Sequence, residues 1–114
     1  EALYQESLYL ELLDNGIKSE REKEICCHYK HHQLNKTYKA DLVVGDILVE
    51  LKSVAELLPE HRAQLFNYLR LTKYPVGVLI NFGKKNLQGE RYGFIEETNE
   101  CVLLDKRMKI LNYE

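Results

Sequence analysis

Asp41-Leu42-Val43-Val44-Gly45-Asp46-Ile47-Leu48-Val49-Glu50-Leu51-Lys52 is the stretch whose reading decides the fold. Two apolar, largely β-branched runs enclose Gly45-Asp46, and a two-residue spacer of that type predicts a tight hairpin. Such a turn sets Val44 opposite Ile47, Val43 opposite Leu48, Leu42 opposite Val49, and Asp41 opposite Glu50. Opposite residues carry Cβ atoms roughly 4.5–5.5 Å apart, and side chains alternate between faces with period 2. One face therefore reads Asp41, Val43, Leu48, Glu50, Lys52, and the other, Leu42, Val44, Ile47, Val49, Leu51, is wholly apolar. A packed sheet needs the apolar face. It has no evident use for two like charges facing each other, which repel.

A cation between the two carboxylates removes that conflict. Two carboxylate oxygens, a main-chain carbonyl and waters form a natural cradle for Mg²⁺, which prefers oxygen ligands and keeps several waters. A lysine alongside can take a proton from a bound water or steady a negative charge. Those are the parts that metal-assisted phosphodiester hydrolysis requires. The plainer alternative is that Asp41 and Lys52 neutralise Glu50 at a sheet edge, since Glu-x-Lys is common in a chain with 30% charged residues.

Working outward, Leu3, Tyr4, Leu8, Leu12 and Leu13 recur at helical spacing, and Asn15-Gly16 stops the run. From Lys18 to Tyr29 the pattern alternates, with Ile25, Cys27 and Tyr29 on one side, which predicts a strand; Lys30 to Asn35 reads as a polar turn. Pro59 opens a second helix that runs to Thr72, where a proline's missing N–H costs nothing. Val76 to Phe82 is nearly uniformly apolar, as a strand buried on both faces would be. Short strands are expected around Tyr92–Glu96, Cys101–Leu104 and Lys109–Tyr113. The order is α, three strands, α, strand, then a β tail: one mixed α/β domain over 1–114, with a core in 1–83 and a C-terminal β extension in 90–114.

Asp41 with Glu50-Leu51-Lys52, between two helices, resembles the PD-(D/E)xK nuclease superfamily and, within it, the bacterial GxxExxY protein family. The opening motif aligns with Glu1 and Tyr4, and the middle segment with Tyr38 to Val44 and Leu48 to Val54. The later segment aligns with His61, Ala63-Gln64-Leu65, Asn67-Tyr68-Leu69 and Gly77 to Gly83. The superfamily's proline is Ala40 here, and the glycine that opens the family motif is absent because the chain starts at Glu1, as a trimmed piece would. The resemblance implies a restriction-endonuclease-like αβββαβ core, a four-stranded mixed sheet flanked by helices. It also implies Mg²⁺ or Mn²⁺ held by Asp41, Glu50 and the Leu51 carbonyl, with Lys52 serving the water and Glu1 as an extra ligand from the first helix. Gln64 and Tyr68 fit a Gln-x-x-x-Tyr motif that positions substrate in the RecB-like branch; His61, Gln64 and Tyr68 also form one i, i+3, i+7 stripe. The expected partner is nucleic acid, DNA ahead of RNA, with a homodimer or a partner protein left open.

Composition bounds these expectations. At 114 residues the chain is too short for two ordinary domains. No run of 18 apolar residues exists, so a membrane helix is excluded. The first residues carry acids where a signal peptide carries positive charge. Three cysteines, two of them adjacent, point to reduced thiols and a cytoplasmic protein. The net charge of −2 is not that of a typical nucleic-acid binder. It hides a segment, 25–40, with no acid, three lysines and three histidines. The slight acidity motivates an alternative: a catalytically silent module of the nuclease fold that binds nucleic acid or a protein. Zinc at Cys26, Cys27, His28, His31 and His32 is disfavoured, because the spacing is wrong and adjacent strand residues point to opposite faces. Lys84 and Lys85 after Gly83 read equally as phosphate contacts or as a solvated loop.

Overall fold

A computed structural model of the chain describes residues 2–111. Helix α1 (Ala2–Asp14) precedes strands β1 (Glu20–Tyr29), β2 (His32–Val44) and β3 (Ile47–Lys52); α2 (Pro59–Thr72) leads to β4 (Val76–Asn81), β5 (Gln88–Ile95) and β6 (Glu100–Leu104). The strands form one mixed six-stranded sheet in chain order. Among the described strands only β3 and β4 pair in parallel, Ile47 with Val76 through Lys52 with Asn81. That pairing needs a crossover, which α2 supplies.

The β2–β3 hairpin turns where its sequence demands. Gly45 has φ of +59°, a left-handed conformation that glycine takes without a Cβ penalty. The observed register joins Leu42 to Val49, Val43 to Leu48 and Val44 to Ile47.

Each face of the sheet receives one helix. Leu65 and Leu69 of α2 are buried with Ile25, Cys27, Tyr38, Ala40, Val43, Leu48 and Leu79. On the opposite face Leu8 and Tyr9 of α1 pack against Leu42, Val49 and Leu51, and Tyr4 stacks on Phe82 with ring centroids 4.6 Å apart. The helices thus leave the end of β3, with Glu50 and Lys52, between them. No helix among the described residues is long and apolar enough to cross a membrane.

Several expected boundaries are corrected. The turn after β1 is only Lys30-His31, with Lys30 at φ of 55°. β2 begins at His32, because His32 and Gln33 pair with Tyr29 and His28 of β1 even though residues 32–36 are exposed. Tyr29 is correspondingly exposed. In β4 only Gly77, Leu79 and Asn81 are fully buried, because α1 covers the other face incompletely. β5 starts at Gln88, four residues before the expected Tyr92, and it and β6 extend the sheet beyond the four strands implied by the resemblance. Of the last expected strand, Ile110 makes an isolated bridge to Leu104, and residues 112–113 lie outside the described residues.

Candidate active site

The regular hairpin ladder stops at Leu42–Val49. Beyond it, the Leu51 N–H donates to Oδ2 of Asp41 at 2.8 Å. A carboxylate from β2 is thereby tied to the main chain of β3 between Glu50 and Lys52.

β2 also changes phase here. Tyr38 and Ala40 belong to the core under α2, Leu42 to the core under α1, and Val43 to the α2 side again. Strict alternation would keep Ala40 and Leu42 on one face. On β1, Glu22 lies between the Arg21–Leu42 and Lys23–Ala40 pairs and has φ of 47°, which few residues other than glycine adopt. Such local irregularities re-aim side chains. The simple alternation expected for Asp41 is therefore corrected: with Ala2, Gln5, Glu22 and Leu51 it lines a cavity of about 190 Å³ beside the first turn of α1.

Glu50 is buried, with 8% of its surface exposed. Lys52 reaches toward α2, where its Nζ donates to Oε1 of Gln64 at 3.2 Å. Tyr68 follows one turn along the same helix. Burial first, then the charge of Glu50, push the Tyr68 hydroxyl above its ordinary pKa; a hydrogen bond with Gln64 opposes this, and the charge of Asp41 adds to the rise. The fields of both carboxylates therefore reach one phenol. Asp41, Glu50, Leu51, Lys52, Gln64 and Tyr68, drawn from β2, β3 and α2, are gathered in one region. His61 caps α2 instead, its Nδ1 accepting the Leu58 N–H at 2.9 Å. Glu1 lies outside the described residues.

Hard oxygen donors dominate this place, which suits Mg²⁺ or Mn²⁺ rather than a thiolate-seeking metal. Among the described residues no group of three or more His, Cys, Asp or Glu side chains forms a metal cluster. Two carboxylates with a main-chain oxygen and several waters satisfy the ligand habit of Mg²⁺ without a third.

Three supporting features had no local signal. Gln5, buried with 8% of its surface exposed on a helix whose apolar side chains are at most half-buried, accepts from Nε of Arg21 at 3.3 Å. Asn81, fully buried, accepts from the N–H groups of Val54 and Gly83 at 3.0 and 2.9 Å and donates to the Val54 carbonyl at 2.9 Å. It clamps the segment that leaves Lys52, and a Cβ on Gly83 would strike the Val54 backbone. Arg62 of α2 holds Glu90 of β5 through two bonds of 2.7 and 2.8 Å, and Tyr92 donates to the same carboxylate. Of the cysteines, Cys27 is buried in the core and Cys26 is exposed. Lys84 pairs with Glu56 at 2.8 Å.

The sequence model of the PD-(D/E)XK nuclease superfamily matches residues 1–92. The crystal structure of SSO0001 is similar in fold, with a TM-score of 0.65 at 20% identity over 86% of this chain. The chain spans 53% of the length of that protein. No curated protein matches the chain.

Proposed function

The chain belongs to the PD-(D/E)XK nuclease superfamily, and from that premise we propose that it is a metal-dependent nuclease that hydrolyses phosphodiesters of DNA, with RNA as the second candidate. The observation that carries this reading is the 2.8 Å bond from the Leu51 N–H to the Asp41 carboxylate. It joins the two carboxylate-bearing strands at the residue that separates Glu50 from Lys52.

Asp41, Glu50 and the Leu51 carbonyl would hold Mg²⁺ or Mn²⁺. When bound, the ion supplies a Lewis acid to the phosphoryl oxygen and a water of lowered pKa. The chain's own groups do the rest. The Leu51 N–H orients the Asp41 carboxylate in advance, so no reorganisation is needed when substrate arrives. Gln64 occupies one N–H of the Lys52 ammonium and leaves two donors for the attacking water or the developing negative charge. Tyr68, its pKa raised, keeps its proton at neutral pH and remains a donor toward a phosphate oxygen. Gln64 and Tyr68 are thus positioning residues.

The test is cleavage of single- and double-stranded DNA and RNA with Mg²⁺ or Mn²⁺, beside Lys52→Ala purified identically. Metal-dependent cleavage lost in the variant supports the enzyme and its lysine together. Equal cleavage by both points to a contaminant and removes Lys52 from the site. No cleavage by either favours the silent binding module.

A further inference from the structure

β1 and β2 are longer than the sheet around them requires. They have 10 and 13 residues, while β3 and β4 have 6 each. β3 runs antiparallel to β2 and ends at Lys52, so β2 before Asp41 continues past the end of β3 that carries Glu50 and Lys52. The core under α2 takes in this stretch as far as Cys27 and Tyr38. Every residue from 29 to 37 is exposed, and His28 and Tyr29 pair with Gln33 and His32 across the Lys30-His31 turn. Nine residues lead from Asp41 back to His32, which carries the tip roughly 25–30 Å from the carboxylate site at about 3.3 Å per residue.

This ribbon also carries charge of one sign. Residues 25–40 hold three lysines and no acid, so the net charge of −2 is +3 in this segment and −5 in the rest of the chain. Glu24 of β1 stands opposite Lys39, which leaves Lys30 and Lys36 as the outlying cations. Neither is in an ion pair among the described residues. The Lys30 ammonium lies 5.5 Å from the centre of the Tyr29 ring, itself 59% exposed. A two-stranded ribbon with both faces in water is marginally stable at best, and residues 29–37 add nothing to the core. A basic arm on an acidic body is the charge separation that steers a polyanion to one place.

We propose that this ribbon is an arm that grips the phosphodiester backbone of the substrate away from the bond that is cut. That the polyanion is a nucleic acid rests on the nuclease reading; the arm itself rests on its length, exposure and charge. Lys30 at the turn and Lys36 on β2 make the contacts, which fix the position of a nucleic acid without reading its sequence. Because β2 also carries Asp41, a backbone held at the tip is held in a set relation to the carboxylates.

Fluorescence anisotropy in EDTA, so that nothing is cut, follows binding of a labelled DNA duplex and of its single strand as salt is raised. A duplex of about 20 base pairs, at roughly 3.4 Å each, spans the site and the arm together. Lys30→Gln and Lys36→Gln should each weaken binding and lower the magnitude of the salt slope, by about 0.9 on the duplex or about 0.7 on the single strand. The loss should be equal for two unrelated sequences, with melting temperatures unchanged. The form of DNA that shows the change is the form the arm holds. Lys36→Arg keeps the charge and should keep the parent slope. Lys18→Gln makes the same change of net charge beside Val43 and Gly45, at the other end of β2, and should leave the slope alone. An equal drop in Lys18→Gln, unchanged slopes in both arm variants, or undetectable binding of either form at low salt overturns the proposal. Cleavage is scored separately with Mg²⁺ and Mn²⁺. Binding that depends on the arm in a chain that never cuts keeps the arm and loses the nuclease reading. Cutting by a chain whose arm variants bind like the parent does the reverse.

Discussion

The Asp41 carboxylate accepts the main-chain N–H of Leu51 at 2.8 Å, at the point where β2 changes phase and the β2–β3 ladder ends. A side chain, not the next backbone rung, couples the two strands there. Asp41→Asn preserves an acceptor for that N–H and deletes the charge. Cleavage should be abolished while the thermal midpoint moves by less than the effect of Asp41→Ala. The alanine variant also loses the bond, at roughly 1–3 kcal/mol for a charge-assisted contact. Parallel melting and cleavage assays on the two variants separate the roles. Full cleavage by Asp41→Asn would remove Asp41 from the metal site.

Lys52 is steered by Gln64 across a gap of twelve residues in sequence. Gln64→Leu keeps much of the side chain's bulk and removes the acceptor. We expect kcat to fall by about tenfold to a hundredfold, as a misplaced catalytic group would cause, with little change in stability. Lys52→Arg should not restore activity to Lys52→Ala, because a planar guanidinium cannot occupy the place of a compact ammonium. Steady-state kinetics on the purified variants give the answer, and a Gln64→Leu protein of normal kcat would refute the steering.

Arg62, Glu90 and Tyr92 tie α2 to β5. The Arg62 hydrogen bonds hold the Glu90 carboxyl below its usual range despite partial burial. A depressed carboxyl pKa stabilises the fold above the unfolded value, about 4.3, and that contribution is lost as pH falls through the lower folded value. Acid unfolding of the parent should therefore lose a component below about pH 4.3 that is missing from Glu90→Gln. Urea midpoints measured from pH 7 to pH 3 would show the two proteins converging with acidification. A constant difference across that range would contradict the linkage.

Asn81→Ala should be among the more damaging single changes. It orphans the N–H groups of Val54 and Gly83 and the Val54 carbonyl, and each buried polar group left unpaired costs roughly 1–3 kcal/mol. Urea unfolding should show a lower midpoint at an unchanged slope. Loss of the clamp also frees the segment after Lys52, so residual activity should fall further than the unfolded fraction accounts for.

The Gly45-Asp46 turn, the register of Leu42 on Val49, and the juxtaposition of the Asp41 and Glu50 strands were legible in the sequence. So were α2 and the partnership of Gln64 with Tyr68 on one stripe. These depend on neighbours within a few residues: turn chemistry, the period of the pleat and the period of the helix. The start of β2 at His32 and Gln33 escaped this reading because its backbone pairing is supplied by β1 and leaves no apolar alternation behind. Gln5 escaped it because nothing in a helical period marks a glutamine as buried.

What belonged to the sequence by itself was thus a hairpin that brings two carboxylates and a lysine to one end of a sheet, with a helix following. What only the tertiary structure decided was how those groups are aimed. The phase change at Asp41 arises opposite the left-handed Glu22 of β1, the Lys52 contact needs α2 folded back across β3, and the stack of Tyr38 on Tyr68 needs the same helix against β2. Alternation and spacing are properties of adjacent residues, whereas aim and burial are set by segments that become neighbours only when the sheet and its two helices pack.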